Sequence, residues 1–157
     1  MQKGGQFANI PEGTGMPKGL RASFELVHEP PYGLVVRWQG AVGLSDLVRS
    51  TRAVGADPLF DGLRYKIYDC RDATGRHEPH EEGSIVDVAA QIIGESVTNP
   101  RIFRAWVGTD STLSAMFTGI SSAAHISIEQ FDALSTAREW VQEQVLNSTG
   151  IHLALLS

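Results

Sequence analysis

The segment His77-Glu-Pro-His-Glu-Glu82 holds the densest group of side chains that could do chemistry. Two imidazoles and three carboxylates within six residues are donors of the kind that bind a divalent metal ion. Pro79, however, prevents the regular helix that would place these donors on one face, and the spacing matches no zinc motif. We therefore predict an acidic, solvated loop that leads into a helix. His77 and His80 are the candidate ligands of the less favoured metal site.

Cys70 and Asp69, just before that loop, are the next candidates. A catalytic cysteine needs a nearby base and a lowered pKa, so a small buried thiol at a strand end is the favoured interpretation of Cys70. An aspartate in the position of Asp69 is the phosphoacceptor of receiver domains. Those domains also need an acidic pair after the first strand and a lysine after the last, and neither is present here. We expect Asp69 and Asp72 to accept backbone N–H groups in a turn.

No other catalytic or cofactor motif is present. The chain has no Gly-x-Ser-x-Gly elbow, no Gly-x-Gly-x-x-Gly run and no Walker loop after a predicted strand. Ser111 and Ser114 are therefore predicted to cap a helix, and no cofactor is expected.

The composition is that of an ordinary globular protein of 157 residues, 42% of them hydrophobic and 20% charged. Thirteen basic and eighteen acidic residues give a net charge of −5 without a basic cluster, so no nucleic-acid binding is expected. No apolar run reaches the ~18 residues that span a bilayer, so we expect no membrane span. The single cysteine suits a reducing compartment, and we predict a cytoplasmic protein.

A strand that begins at Tyr65 is the element that must position the candidate groups. Its β-rich body, residues 65–68, gives way to the polar residues 69–75, where we predict a turn. A helix follows, so the junction lies at the carboxyl end of a strand, where ligands and partners dock in open α/β sheets. We predict the functional edge here, with partner or ligand contacts from six side chains: Asp69, Arg71, Asp72, Thr74, Glu82 and Ser84.

The other elements predict an α/β fold. Alternating apolar residues on both sides of Glu29-Pro-Pro-Tyr-Gly33 indicate an N-terminal antiparallel hairpin, with a bulge at Gly40 where the second strand leaves the sheet. Further strands and helices alternate in the order ββαβαβαβα, which predicts a mixed five-stranded sheet with four helices and right-handed crossovers. The strongest helical spacing belongs to five residues predicted to face the core: Ile85, Val88, Ala89, Ile92 and Ile93.

Helix ends and chain ends complete this outline. Ser45 and Asp46 suit the start of the first helix, and Asp132 suits the start of the last. The predicted domain covers residues 20–146. Residues 1–19 contain five glycines and two prolines and are predicted to form a flexible arm. Residues 147–157 are predicted to form a tail, whose apolar part, residues 151–156, packs on the core or on a partner. Neither end has a place in a compact monomer, so we expect a homo-oligomer.

Three short motifs resemble the STAS domain, in particular its small stand-alone bacterial branch, which is related to the anti-sigma-factor antagonists. They are Ala56-Asp-Pro-Leu-Phe60, Tyr68-Asp-Cys-Arg-Asp72 and Phe131-Asp followed by Ala137-Arg-Glu-Trp140. The resemblance covers roughly residues 21–145. It implies a signalling module that binds a protein or a small ligand and has no catalytic chemistry.

The chain departs from that family where the antagonists are regulated. They carry a serine, in an Asp-Ser-Ser/Ala-Gly-like motif, whose phosphorylation blocks partner docking. Residues 73–84 contain no such motif, and Thr74 and Ser84 are the hydroxyls they offer. A phosphate next to the glutamates of this loop would meet like-charge repulsion, which Arg71 and Arg76 would only partly offset. A phosphoswitch is therefore not implied by the motif.

Three functions remain open at this point. The favoured one is a non-enzymatic regulatory module that binds another protein, or a second copy of itself, through residues 69–84. The second is a small apolar ligand or lipid held between sheet and helices near Met116 and Phe117. The third is a metal-dependent or thiol enzyme that uses His77, His80 or Cys70.

Overall fold

The computed structural model describes residues 22–77 and 81–148, without the side chains of residues 81–84. The strands are β1 Ser23–Glu29, β2 Gly33–Val42, β3 Tyr65–Gly75, β4 Phe103–Val107 and β5 Ile128–Phe131. The helices are α1 Leu44–Gly55, α2 Glu81–Thr98, α3 Ser111–Ala124 and α4 Leu134–Ser148, and a 3₁₀ turn covers Phe60–Gly62. The predicted order ββαβαβαβα is confirmed.

The five strands form one mixed sheet in the order β1-β2-β3-β4-β5. β1 and β2 are the predicted antiparallel hairpin, and the three other pairs are parallel. Right-handed crossovers between adjacent parallel strands place their helices on the same face of a sheet. In agreement, α1, α2 and α3 cover one face, and α4, which follows the last strand, covers the other.

The organising strand is longer than the sequence predicts. β3 does not turn at Asp69 but continues to Gly75, and β2 pairs with it as far as Val42. The pairing of β2 with β3 shifts register between Arg37 and Gln39. Gly40 has a φ of 89°, but β2 continues to pair with β3 at this residue and does not leave the sheet. The polar character of residues 69–75 suggests a loop, but the neighbouring strand satisfies their backbone groups and keeps them extended.

The face under α1, α2 and α3 holds the larger core. Trp38 and Ile92 are fully buried there, and Trp106 stacks on Phe117 with ring centroids 4.9 Å apart. Side chains alternate across a strand, so the odd-numbered residues of β4, and those of β3 as far as the register shift after Asp69, point to the other face. There Ile67 and Ala105 pack against α4.

Three charged side chains lie buried in the larger core. Glu95 of α2 accepts hydrogen bonds at its Oε1 atom from Lys66 Nζ and from Arg104 Nη2, both at 2.9 Å. The exposed fraction of each of these side chains is 4% or less. A buried charge without a partner is very costly, so these three groups depend on one another. Their hydrogen bonds join the C-terminal half of α2 to β3 and β4.

One face of α2 differs from the sequence prediction. Val88, Ala89 and Ile92 are buried as predicted, and Ile85 is partly buried against the same core. Ile93 was expected to face the core, but 43% of it is exposed. The core-facing stripe is narrower than the spacing suggests: α1 and α3 pack against α2, and the core that they form with it does not extend to Ile93.

The predicted arm, residues 1–19, and most of the predicted tail lie outside the described residues. Residues 147 and 148 are the exception, because α4 continues to Ser148. Within residues 22–77 and 81–148, no helix is long and apolar enough to cross a membrane.

Candidate functional site

A cleft of about 460 Å³ lies at the carboxyl ends of β3, β4 and β5. Three segments line it, each directly at the end of a strand: the end of β3 with Cys70, Arg71, Ala73 and Thr74, the loop from Gly108 to Ser111, and Asp132. The cleft is open to solvent and mostly polar, with hydroxyl, carboxylate and guanidinium groups at its rim. It lies at the sheet edge for which the sequence analysis predicts partner or ligand contacts.

Asp69 and Arg71 form a tightly bonded pair below the rim. Arg71 donates two hydrogen bonds of 2.9 Å, from Nε to Oδ1 and from Nη2 to Oδ2 of Asp69, and Arg37 lies 3.8 Å from the same carboxylate. Burial alone would raise the pKa of Asp69. The hydrogen bonds from the side chain and backbone of Arg71, with the charges of both arginines, outweigh burial and lower that pKa. Asp69 is therefore a buried anion that orients Arg71.

Asp110 joins the end of β3 to the start of α3. Its Oδ2 atom accepts the N–H of Leu113 at 3.0 Å as the N-cap of α3, and also the N–H of Gly75 at 2.8 Å. The helix cap predicted for Ser111 and Ser114 is therefore supplied by Asp110. A Cβ on Gly75 would lie 2.6 Å from Cγ2 of Thr112, so the close approach of β3 to α3 requires glycine.

The thiol of Cys70 lies beneath the cleft and is 2% exposed. Burial raises its pKa strongly, and the negative charges of Asp69 and Asp110 raise it further. A reactive cysteine needs the opposite, a lowered pKa in an electropositive and accessible environment. Cys70 is thus a protonated packing residue at neutral pH, as the sequence suggested.

The structure brings only part of the predicted binding set together. Arg71 and Thr74 line the cleft, and Asp69 supports it from below. Asp72 is exposed next to it but does not line it, and the turn in which it was expected does not form, because it belongs to β3. Glu82 and Ser84 belong to the first turn of α2, and their side chains lie outside the described part.

Of the two predicted metal ligands, His77 belongs to the described residues. His77 is exposed two residues after the end of β3, and His80 lies outside the described residues. Among the described residues, no three histidine, cysteine, aspartate or glutamate side chains are placed so that they could hold a metal ion.

Met116 and Phe117, the predicted apolar pocket residues, belong to the core-facing side of α3. Both are buried, and the ring of Phe117 lies between two aromatic neighbours, with centroid distances of 5.2 Å to Tyr68 and 4.9 Å to Trp106. The space next to Phe117 is thus occupied by side chains of the protein itself.

Sequence reasoning missed the contribution of β4 and β5 to the site. Thr109, Asp110, Ser111 and Asp132 follow neighbouring strands, and the carboxyl ends of parallel strands share one edge of a sheet. That rule could have added them to the predicted edge. Asp132 was assigned to helix capping instead, but it accepts a hydrogen bond of 3.0 Å from Gln130, and α4 begins at Leu134.

The fold is similar to that of a protein whose structure has been solved. An anti-sigma factor antagonist from Mycobacterium paratuberculosis superimposes with a TM-score of 0.53 over 81% of this chain and 99% of that chain, at 12% sequence identity. The chain has a STAS-like fold. No protein-family model matches the sequence. No curated protein matches it either.

The STAS-like fold confirms the resemblance that the three sequence motifs suggested. Two of those motifs belong to the elements that build the cleft. Residues 68–72 lie in β3, and Phe131 ends β5 just before Asp132. At 12% identity the likeness concerns the fold alone, so the function has to be argued from this chain's own cleft.

Proposed function

We propose that this protein is a non-enzymatic regulatory module that binds a protein partner through the cleft at the carboxyl ends of β3, β4 and β5. The observation that carries the proposal is the cleft itself, in which an oriented guanidinium stands among hydroxyls and carboxylates of three strand ends. These groups are suited to hydrogen bonding with a polar protein surface.

The side chains around the cleft support binding rather than bond-making chemistry. A nucleophile requires activation by a base or by a lowered pKa, and the buried thiol of Cys70 has a raised pKa. Asp69 accepts hydrogen bonds from Arg71, and Asp110 accepts the N–H groups of Gly75 and Leu113. Both carboxylates therefore stabilise the local structure.

A regulatory role also agrees with the structural neighbour. That protein is described as an anti-sigma factor antagonist, and the two chains share the fold over 81% of the present one. We therefore propose an antagonist-like role in a bacterial signalling pathway in the cytoplasm, with Arg71, Thr74 and the neighbouring Asp72 as partner contacts. Glu82 and Ser84, at the start of α2, stay predicted members of the same surface.

Affinity capture from an extract of the source organism, followed by quantitative mass spectrometry, tests the proposal. Thr74→Lys places a bulky cation in the cleft, and Asp61→Lys places the same side chain on the exposed 3₁₀ turn as a control. We expect at least one protein that wild type and the control both retain and the Thr74 variant loses. Identical sets of captured proteins would contradict the proposed site.

A further inference from the structure

The outer face of α2 carries an apolar stripe formed by Val86, Ala90, Ile93 and Val97. The exposed fractions of the three large residues are 62%, 43% and 79% for Val86, Ile93 and Val97, and Ala90 is exposed as well. The steps between the four residues are four, three and four, which is the alternation by which one helix packs along another. We name these four residues the α2 stripe.

The α2 stripe requires an explanation because α2 already packs a different apolar side against the core of the protein. Val88, Ala89 and Ile92 pack in the core, and at about 100° per residue the α2 stripe is centred about 120° away from them, so the apolar surface of α2 extends well beyond the part that the core covers. A surface helix normally has one apolar face, and a helix that is apolar all round is covered on all sides. Single exposed aliphatic residues are common, but a continuous exposed row marks an interaction surface.

The order of side chains in the α2 stripe makes it complementary to itself. If a second α2 helix lies antiparallel, with a twofold axis between residues 91 and 92, Val86 of each copy faces Val97 of the other. The small Ala90 then faces the large Ile93. Gly94 lies beside this centre, and the space next to its Cα is open, so a second helix can approach closely there.

Charge favours the same antiparallel arrangement. Asp87 is exposed in the first half of α2, and the sequence adds Glu81 and Glu82 at its start. Arg101 is exposed just after its end. The last turn of α2 itself has no basic residue, so the attraction comes from Arg101: an antiparallel pair brings the acidic start of each helix toward Arg101 of the other copy, and the two helix dipoles are then opposed. A parallel pair would instead place the acidic starts side by side.

We infer that a second copy of this chain packs on the α2 stripe, with the two α2 helices antiparallel about a twofold axis. The inference does not depend on the cleft or on its partner, because the stripe is on the outer face of α2. Stable interfaces bury roughly 800 Å² on each partner, and one helix pair buries less than that. We therefore expect a dimer with a dissociation constant of about 1–100 μM.

Sedimentation velocity of the full chain over a range of about 1–500 μM tests this inference, since that range brackets the expected constant. The weight-average mass is expected to rise from one chain toward two. Gly94→Arg points a long side chain into open space in the monomer and removes a helix glycine, so the variant keeps the fold but blocks close approach. Gly55→Arg, at a second glycine with open space, is the matched control.

We expect Gly94→Arg to weaken the dimer at least tenfold and Gly55→Arg to leave it unchanged. A wild-type chain that stays monomeric throughout overturns the inference, as does equal self-association of both variants. If the chain is monomeric and Ile93→Cys reacts slowly with a maleimide, another part of the same chain covers the α2 stripe, and the inference is overturned.

Disulfide formation tests the orientation of the two helices. A mixture of Ala90→Cys and Ile93→Cys chains should cross-link faster than either variant alone, because these positions face each other only in the antiparallel pair. The buried Cys70 does not compete for the oxidant. Faster cross-linking within each single variant would indicate a parallel pair and overturn the proposed arrangement.

Discussion

Arg71 holds the carboxylate of Asp69 with two hydrogen bonds of 2.9 Å from a position two residues later in the same strand. Asp69 points to the α4 face like Ile67 two residues before it, and its two hydrogen bonds place the guanidinium of Arg71 on the same side of β3. Asp69 is 3% exposed, whereas 48% of the Arg71 side chain is exposed. A buried anion thus fixes the direction of a guanidinium that borders the cleft.

Asp69→Asn should destabilise the fold, because it removes a buried charge that is hydrogen-bonded to Arg71 and paired at 3.8 Å with Arg37. We expect a loss of about 1–2 kcal/mol at pH 7, moderated by the partial exposure of Arg37 and Arg71. Urea unfolding measures this loss. Arg64→Gln, on a side chain that donates to backbone carbonyls elsewhere, serves as the control and should cost less. A loss no greater than that of the control would contradict the role given to Asp69.

Acid should unfold the protein through a small set of carboxylates. The pKa values of Asp69, Asp46 and Glu29 are all lowered: burial opposes the shift in each, and hydrogen bonds and arginine charges outweigh it. A lowered folded-state pKa gives stability that is present above the unfolded value, near pH 4, and is lost as the pH falls through the folded value.

We therefore expect the free energy of unfolding to change little between pH 7 and about pH 5 on account of these three groups, and to fall steeply below about pH 4. Denaturant titrations at a series of pH values measure the slope. Asp69→Asn should make the acid limb shallower. An unchanged slope in this variant would mean that other groups control acid unfolding.

Asp110→Ala should loosen the junction between β3 and α3. The change removes the N-cap of α3 and the acceptor for Gly75, so we expect a loss of about 1–2 kcal/mol. Asp110→Asn retains an acceptor oxygen and should lose less. Hydrogen exchange of the Gly75 and Leu113 amides reports the site directly, and unchanged protection in Asp110→Ala would rule out this junction.

Glu95→Leu should be among the most destabilising substitutions, because it leaves Lys66 and Arg104 as buried cations without their shared acceptor. We expect a loss of about 3–5 kcal/mol. The triple variant Lys66→Met, Glu95→Leu, Arg104→Met removes all three charges and should be more stable than Glu95→Leu alone. Thermal and urea unfolding of both proteins measure the order, and the reverse order would contradict this account of the cluster.

Cys70 should react slowly with thiol reagents in the folded protein, since it is buried and its pKa is raised. Reaction then requires local or global opening, so we expect a rate at least about a hundredfold below that of the unfolded chain. Absorbance during reaction with an aromatic disulfide, with and without denaturant, measures both rates. Similar rates would show an accessible thiol and reopen the question of thiol chemistry.

The sequence predicts the fold well because its periodic signals are strong and local. The hairpin, the element order and the buried side of α2 follow directly from residue spacing. The length of β3 does not, because residues 69–75 are polar and their extended form depends on pairing with β2. The prediction that Ile93 faces the core is wrong for a related reason: spacing defines a helical face but not how much of that face the neighbouring elements cover.

The cleft could be predicted only on its β3 side. Arg71 and Thr74 were found because they lie close in sequence to the end of the organising strand. Thr109, Asp110 and Asp132 come from distant parts of the chain, and only the order of the strands brings them to the same edge. The hydrogen bond from the N–H of Gly75 to Asp110 joins residues that are 35 positions apart, so no local sequence pattern predicts it.

Calorimetric titration of the captured partner, once purified, against three forms of this protein tests the central claim most directly. Asp132→Lys reverses a charge in the cleft, and Asp61→Lys makes the same change on the exposed 3₁₀ turn. The account predicts an affinity at least tenfold weaker for Asp132→Lys and an unchanged affinity for Asp61→Lys. Equal affinities for wild type and Asp132→Lys would contradict the cleft as the docking site.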